Sequence, residues 1–233
     1  MIILAIETAA SLCAACLWDT SSGEKGRSVR DLGKGHAEHL MAVIAEAMGT
    51  AGVGYPDIGA IAVSVGPGSF TGVRVGVSAA RGLALALSIP AVGVGALEAL
   101  AVQAQQNHPG RAVLALVEAG RGQVYVAAFA EDGATTLEPT AVTHEGARAL
   151  IEAAGPATVL TGSAAAALAD STGGQLTVAQ SGVAADVAVF AALAARRLGD
   201  PAAAPPERPR PLYLRDADAK PQASFILPRA EER

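Results

Sequence analysis

Two carboxylates stand out by position. Glu7 ends the apolar run Ile2 to Ile6, and Glu118 ends a second such run, Val113 to Val117. Each run reads as a buried strand, and open α/β sheets hold ligands at the carboxyl ends of their strands. Two such acids facing one cleft, with Thr8 beside the first, could hold a magnesium-nucleotide, because magnesium takes oxygen ligands and phosphates. They could equally be strand-end acids in solvent or bonded to loops, since neither precedes a glycine-rich phosphate hairpin. Arg121 follows Glu118 closely enough to pair with it across a turn, which would keep the carboxylate ionised and structural.

The segment Gly66-Pro67-Gly68-Ser69-Phe70-Thr71-Gly72 could cradle an anion at a helix start. It is not a Walker loop, because no Lys-Ser or Lys-Thr follows the last glycine, and its G-x-G-x-x-x-G spacing is not the dinucleotide fingerprint. His36, Glu38 and His39 cluster at another helix start. Zinc needs a third protein ligand there, and the remaining histidines, His108 and His144, lie on other elements. Cys13 and Cys16 have redox spacing, but an offset of three in a strand puts them on opposite faces. No Gly-x-Ser-x-Gly elbow serves Ser64 or Ser69. The expectation is no catalytic residue, no metal and no cofactor.

The elements that position these residues read as two rounds of one order. Strands are expected at 2–7, 11–18 and 25–32, a helix at 36–48 and a strand at 58–65. A helix at 72–87, a strand at 91–94 and a helix at 96–106 complete the first round. Strands at 113–118, 122–130 and 135–142, a helix to 154, a strand at 157–161, a short helix at 163–169, a strand at 175–180 and a helix at 184–198 repeat it. The offset is roughly 110 residues, and a repeated order of this kind signals duplication. It predicts two similar α/β lobes across a cleft, residues 1–108 and 109–200, followed by a proline-rich spacer and tail, 201–233. PLYLR at 211–215 could add an edge segment, and the rest of the tail is polar apart from Phe225-Ile226-Leu227.

The central helix is unusual. Gly72, Gly76 and Ala80 recur every four residues on one face, at a cost of roughly 1 kcal/mol for each interior glycine. That stripe allows another backbone to approach closely, either this chain's own sheet or a second protein. Ser69 and Thr71 are the candidate N-caps.

Composition narrows the classes. The chain has 233 residues, 51% hydrophobic and 3% aromatic, with a net charge of −5. That balance argues against an autonomous grip on nucleic acid, which needs a basic face or aromatic platforms. Two cysteines without a disulfide framework fit a reducing, cytoplasmic setting. The apolar start lacks a basic leader and is interrupted by Glu7, and no window is expected to reach the ~20 apolar residues of a membrane span.

Four motifs then carry a resemblance. The opening ILAIETA, the central VSVGPGSFTGVRVGVSAARGLAL, the segment EAGRGQVY and the late PLYLR together resemble the TsaB (YeaZ) family. The resemblance implies two ribonuclease-H-like lobes of the actin/hexokinase/Hsp70 ATPase superfamily (ASKHA). It also implies a partner protein in making threonylcarbamoyladenosine on tRNA. The related catalytic subunit, TsaD, transfers a threonylcarbamoyl group to the adenosine beside the anticodon and carries paired metal-binding histidines four residues apart. The matching positions here are Ala96 and Leu100, which bind no metal. The family usually has an aspartate at the position of Glu118, so the charge is kept and the side chain is longer.

The resulting expectation is a non-catalytic scaffold that binds TsaD, and a second copy of itself, through helices 36–48 and 72–87. His36, Leu40, Ile44, Ser69, Phe70, Thr71, Gly72, Arg74, Val75, Gly76 and Ala80 are the expected interface residues. The TsaE ATPase joins this pair, a TsaC-type enzyme supplies threonylcarbamoyl-adenylate, and tRNA is reached through the complex. The rival expectations are an ATPase or kinase using Glu7, Thr8 and Glu118, and a metallopeptidase-like protein.

Overall fold

β1 (Ile2–Glu7) is apolar at successive positions because both of its faces are buried. Ile3 and Ala5 join one core while Leu4 and Ile6 join another. β2 (Leu12–Asp19) and β3 (Gly23–Asp31) pair antiparallel beside it, and β4 (Ile58–Ser64) and β5 (Ala91–Val94) pair parallel on the other side. The sheet order is β3-β2-β1-β4-β5. The polar, alternating β3 takes the edge, where charged side chains discourage pairing with another chain.

The second sheet repeats this plan. β6 (Val113–Gly120), β7 (Gln123–Phe129) and β8 (Thr135–Thr143) form the antiparallel half. β9 (Val159–Thr161) and β10 (Thr177–Val178) form the parallel half, in the order β10-β9-β6-β7-β8. The computed structural model describes residues 1–172, 176–179, 182–201 and 207–214. Arg215, Phe225, Ile226 and Leu227 lie outside the described residues.

Among the described residues six α-helices complete five layers. α1 (His36–Ala51) and α2 (Phe70–Leu87) cover the outer face of the first sheet, and α4 (His144–Ala154) and α5 (Ala165–Thr172) cover the outer face of the second. α3 (Ala96–Asn107) and α6 (Val187–Gly199) lie between the sheets in one shared core. α3 packs on β6, β7 and β9, whereas α6 packs on β1, β2 and β4. Each half thus sends its last helix to the other half's sheet, and the chain position near 108 does not divide the core.

Cys13 and Cys16 do fall on opposite faces of β2, in different cores. Burial pushes the Cys13 thiol up and the Cys16 thiol up to about 12, so neither is poised as a nucleophile.

α2 begins at Phe70, with Ser69 as its cap; the Ser69 hydroxyl accepts from the Gly72 amide at 3.2 Å. Among the described residues α2 is the one helix long and apolar enough to cross a membrane by length and composition. Its small face is packed into this protein's own core. Gly72, Gly76 and Ala80 are buried, and a Cβ at Gly72 or Gly76 would collide with the Thr8 carbonyl oxygen or hydroxyl. The glycine stripe therefore serves the end of β1 rather than a second chain, which corrects its assignment to a partner interface.

Gly72→Ala is expected to lose about 1–3 kcal/mol of stability, because backbone oxygen cannot move aside as a side chain does. Gly82→Ala, where an added Cβ meets nothing within 4 Å, should gain up to about 1 kcal/mol from helix propensity. Urea unfolding midpoints of the two variants check the pair.

Candidate functional site

The loop after β1 turns on its own acid. Glu7 accepts the Ala9 amide, the Ala9 carbonyl accepts the Ser69 amide at 2.7 Å, and the Thr8 hydroxyl donates to the Gly72 carbonyl at 2.8 Å. The same carboxylate therefore anchors the chain that seats α2. Glu7 is 1% exposed, and its Oε2 and the Ser64 hydroxyl oxygen are buried with no formed hydrogen bond among the described residues. Burial pushes the Glu7 carboxyl up to about 7, against smaller opposing effects of the nearby Ser64 hydroxyl and the Ala9 and Ala10 amides.

Glu7 and Glu118 do line one cleft, with Pro67, Gly68, Ala96, Leu100 and Ser163. Glu118 is exposed, and His144 Nε2 donates to its two oxygens at 3.0 and 3.3 Å. Its backbone amide donates to Ser163 Oγ at 3.0 Å. His144 is a partner the sequence did not suggest, because it opens a separate helix 26 residues away.

The cleft is small. Its volume is about 210 Å³, below the range of roughly 300–1,000 Å³ usual for small-molecule sites. Thr8 is fully buried with its hydroxyl committed to α2, and Glu7, its carboxyl pushed up to about 7 by burial, is only partly ionised near neutrality. Of the three residues named in the rival nucleotide expectation, Glu7 and Glu118 line this cleft and Thr8 does not.

The outer face of α1 and α2 divides the expected interface residues. Leu40 and Ile44 are core residues, and His36 is buried with its ring donating to the Leu12 carbonyl at 3.1 Å. These three, with Gly72, Gly76 and Ala80, face inward because the heptad-like spacing that marks an apolar helix face marks the core first. Phe70, Thr71 and Arg74 are exposed and Val75 is half-buried. Between the helices runs a groove of about 420 Å³ lined by Ala37, Leu40, Met41, Thr71, Arg74, Val75, Ser78 and Ala79. Met41 and Phe70 are each about half exposed and Leu85 is 81% exposed.

The late PLYL segment docks beside this face. Leu212 donates its amide to the Val65 carbonyl at 2.8 Å, and Tyr213 OH accepts from Arg74 Nε at 2.7 Å. No local signal in the sequence could join Tyr213 to a helix 139 residues away.

Comparison with known proteins places this architecture. Residues 30–196 match the family described as TsaD, tRNA N6-adenosine threonylcarbamoyltransferase. The tRNA threonylcarbamoyladenosine biosynthesis protein TsaB of Escherichia coli is 36% identical over 132 residues, 57% of this chain and 56% of that protein. The Bacillus subtilis TsaB is 35% identical over 131 residues, 55% of each chain. The chain belongs to this family, on its TsaB (YeaZ) branch.

The chain spans about half the length of the curated relatives it matches. The solved YeaZ structure from Pseudomonas aeruginosa shares the fold, with a TM-score of 0.74 at 23% identity over 91% of this chain and 99% of that one. An activator of 2-hydroxyisocaproyl-CoA dehydratase from Clostridium difficile, solved with bound ADPNP, superposes at a TM-score of 0.53 and 12% identity over 84% of this chain and 94% of that one. The fold of this TsaB-branch chain is the two-lobed ASKHA fold.

Burial of Glu7 has a measurable sign. Its pKa rises from the ordinary 4.5 to about 7 in the folded protein, so between these values the folded state holds more protons than the unfolded one. Stability from this group is intact below pH 4.5 and is lost as pH rises through 7, by on the order of 3 kcal/mol. Glu7→Gln should remove that loss, so the variant gains on wild type between pH 5 and pH 8 in urea unfolding. A constant difference across that range would contradict the assignment.

Proposed function

We propose that this chain is a non-catalytic subunit that supports threonylcarbamoyladenosine formation on tRNA by docking the catalytic subunit TsaD along the outer face of α1 and α2. The observation that carries this reading is the filling of the cleft. Ala96 and Leu100, at the positions where the resemblance puts a catalytic relative's metal ligands, are apolar and line the cleft beside Glu7. That wall offers a substrate no Lewis acid and no base. The relatives named for threonylcarbamoyladenosine biosynthesis supply the pathway.

The docking face has the right character. It pairs a groove walled by small and apolar side chains with half-exposed Met41 and Phe70, an arrangement that supplies a desolvated centre for a protein interface. An interface near the standard ~800 Å² per partner would cover both helices. The same face serves a second copy of the chain when TsaD is absent. In this reading TsaE joins the pair, tRNA is contacted through the complex, and the assembly works in the cytoplasm.

Reconstitution tests the proposal. Threonylcarbamoylation of tRNA by TsaD and TsaE, with a TsaC-type enzyme supplying threonylcarbamoyl-adenylate, is expected to depend on adding this chain. Met41→Asp should weaken TsaD binding by at least about tenfold, since it places an unpaired charge at the groove. Equal modification rates with and without the chain would reject the role.

A further inference from the structure

Arg74 is held in an unusual way for an exposed arginine. Its guanidinium carbon lies 3.7 Å from the centre of the Phe70 ring and 5.4 Å from that of Tyr213, and the two rings are 5.7 Å apart at an angle of 43°. Its Nε donates to Tyr213 OH at 2.7 Å, while Nη1 and Nη2 have no hydrogen-bond partner among the described residues. Among the described residues Arg74 is also the one charged residue lining the α1–α2 groove. The strap that carries Tyr213 is itself anchored, by the Leu212 amide on Val65 and by buried Pro209.

We propose that Arg74 is a preorganised receptor for a carboxylate carried by the protein partner in the α1–α2 groove, with Tyr213 as the positioning residue that aims it. This rests on the docking face assigned above and deepens it. A free arginine must lose side-chain freedom to make a bidentate pair, but here the stack and the Nε bond have already fixed the guanidinium plane. What remains available is the Nη1/Nη2 edge, the geometry that accepts two oxyanion oxygens in parallel. A carboxylate and a phosphate fit that edge alike. The apolar groove walls and the chain's net charge of −5 favour an acidic side chain of a protein over an RNA backbone.

The test is calorimetric titration of the full chain with TsaD at low and high salt, beside titration of the chain alone with tRNA. Arg74→Ala is expected to weaken TsaD binding by roughly ten- to a hundredfold at low salt, the range for a charge-assisted pair. Its affinity should also lose most of the salt dependence of wild type. Arg74→Lys should fall close to Arg74→Ala, because a point charge lacks the fork. Tyr213→Phe, which keeps the ring, should cost a few-fold, and that cost should vanish in the Arg74→Ala background, a coupling that a merely structural role would not produce. Wild-type binding by Arg74→Ala alongside weakened Met41→Asp would overturn the carboxylate receptor and leave the docking face standing. Wild-type binding by Met41→Asp would overturn the docking face and this inference with it. A loss confined to tRNA affinity would reassign Arg74 to phosphate and refute the proposal.

Discussion

The carbonyl oxygen of Thr8 occupies the space that a side chain at residue 72 would need, and the Thr8 hydroxyl does the same at residue 76. Helix α2 can sit this close to the end of β1 only because both positions are glycine, and each glycine weakens the helix by roughly 1 kcal/mol. The loss is offset by what the approach allows: a hydrogen bond from Thr8 to Gly72, one from Ser69 to Ala9, and burial of Val73, Val77 and Ala80 against the sheet. With the inner face of α2 committed, Phe70, Arg74 and Ser78 are turned outward. The exposed face of α2 is thus set by the glycine stripe on its opposite side.

The same contact shapes the cleft. Glu7 holds the backbone turn that presents Thr8 and Ala9 to α2, so its carboxylate is used locally and buried. A buried carboxyl in an apolar setting is favoured in its neutral form. Across the cleft, Glu118 is exposed and engaged with His144, and Ala96 and Leu100 fill the wall between. The two-lobed fold is kept, with a cleft of about 210 Å³ between the lobes.

The exchange of α3 and α6 between the sheets adds a second constraint. Their shared core joins the inner faces of both sheets, so opening the cleft as a hinge would separate packed side chains on both helices. The strap at 207–214 reinforces the surface by laying Tyr213 on Arg74, next to the groove.

Periodicity in the sequence determined the order of the strands and helices, their repetition in two halves and the opposite faces of Cys13 and Cys16. These depend on spacings of two to four residues that any chain position reports on its own. Motifs likewise placed Glu7 and Glu118 at strand ends and made the family legible. What spacing could not decide was which neighbour each face meets. Gly72, Gly76, Leu40 and Ile44 look the same in sequence whether they meet this protein's own sheet or a partner, and only the tertiary packing showed that they face inward. The charge state of Glu7, the pairing of Glu118 with His144 and the stacking of Tyr213 on Arg74 were equally invisible. Each depends on groups brought together across tens of residues, where burial and distance, not residue type, set the energy.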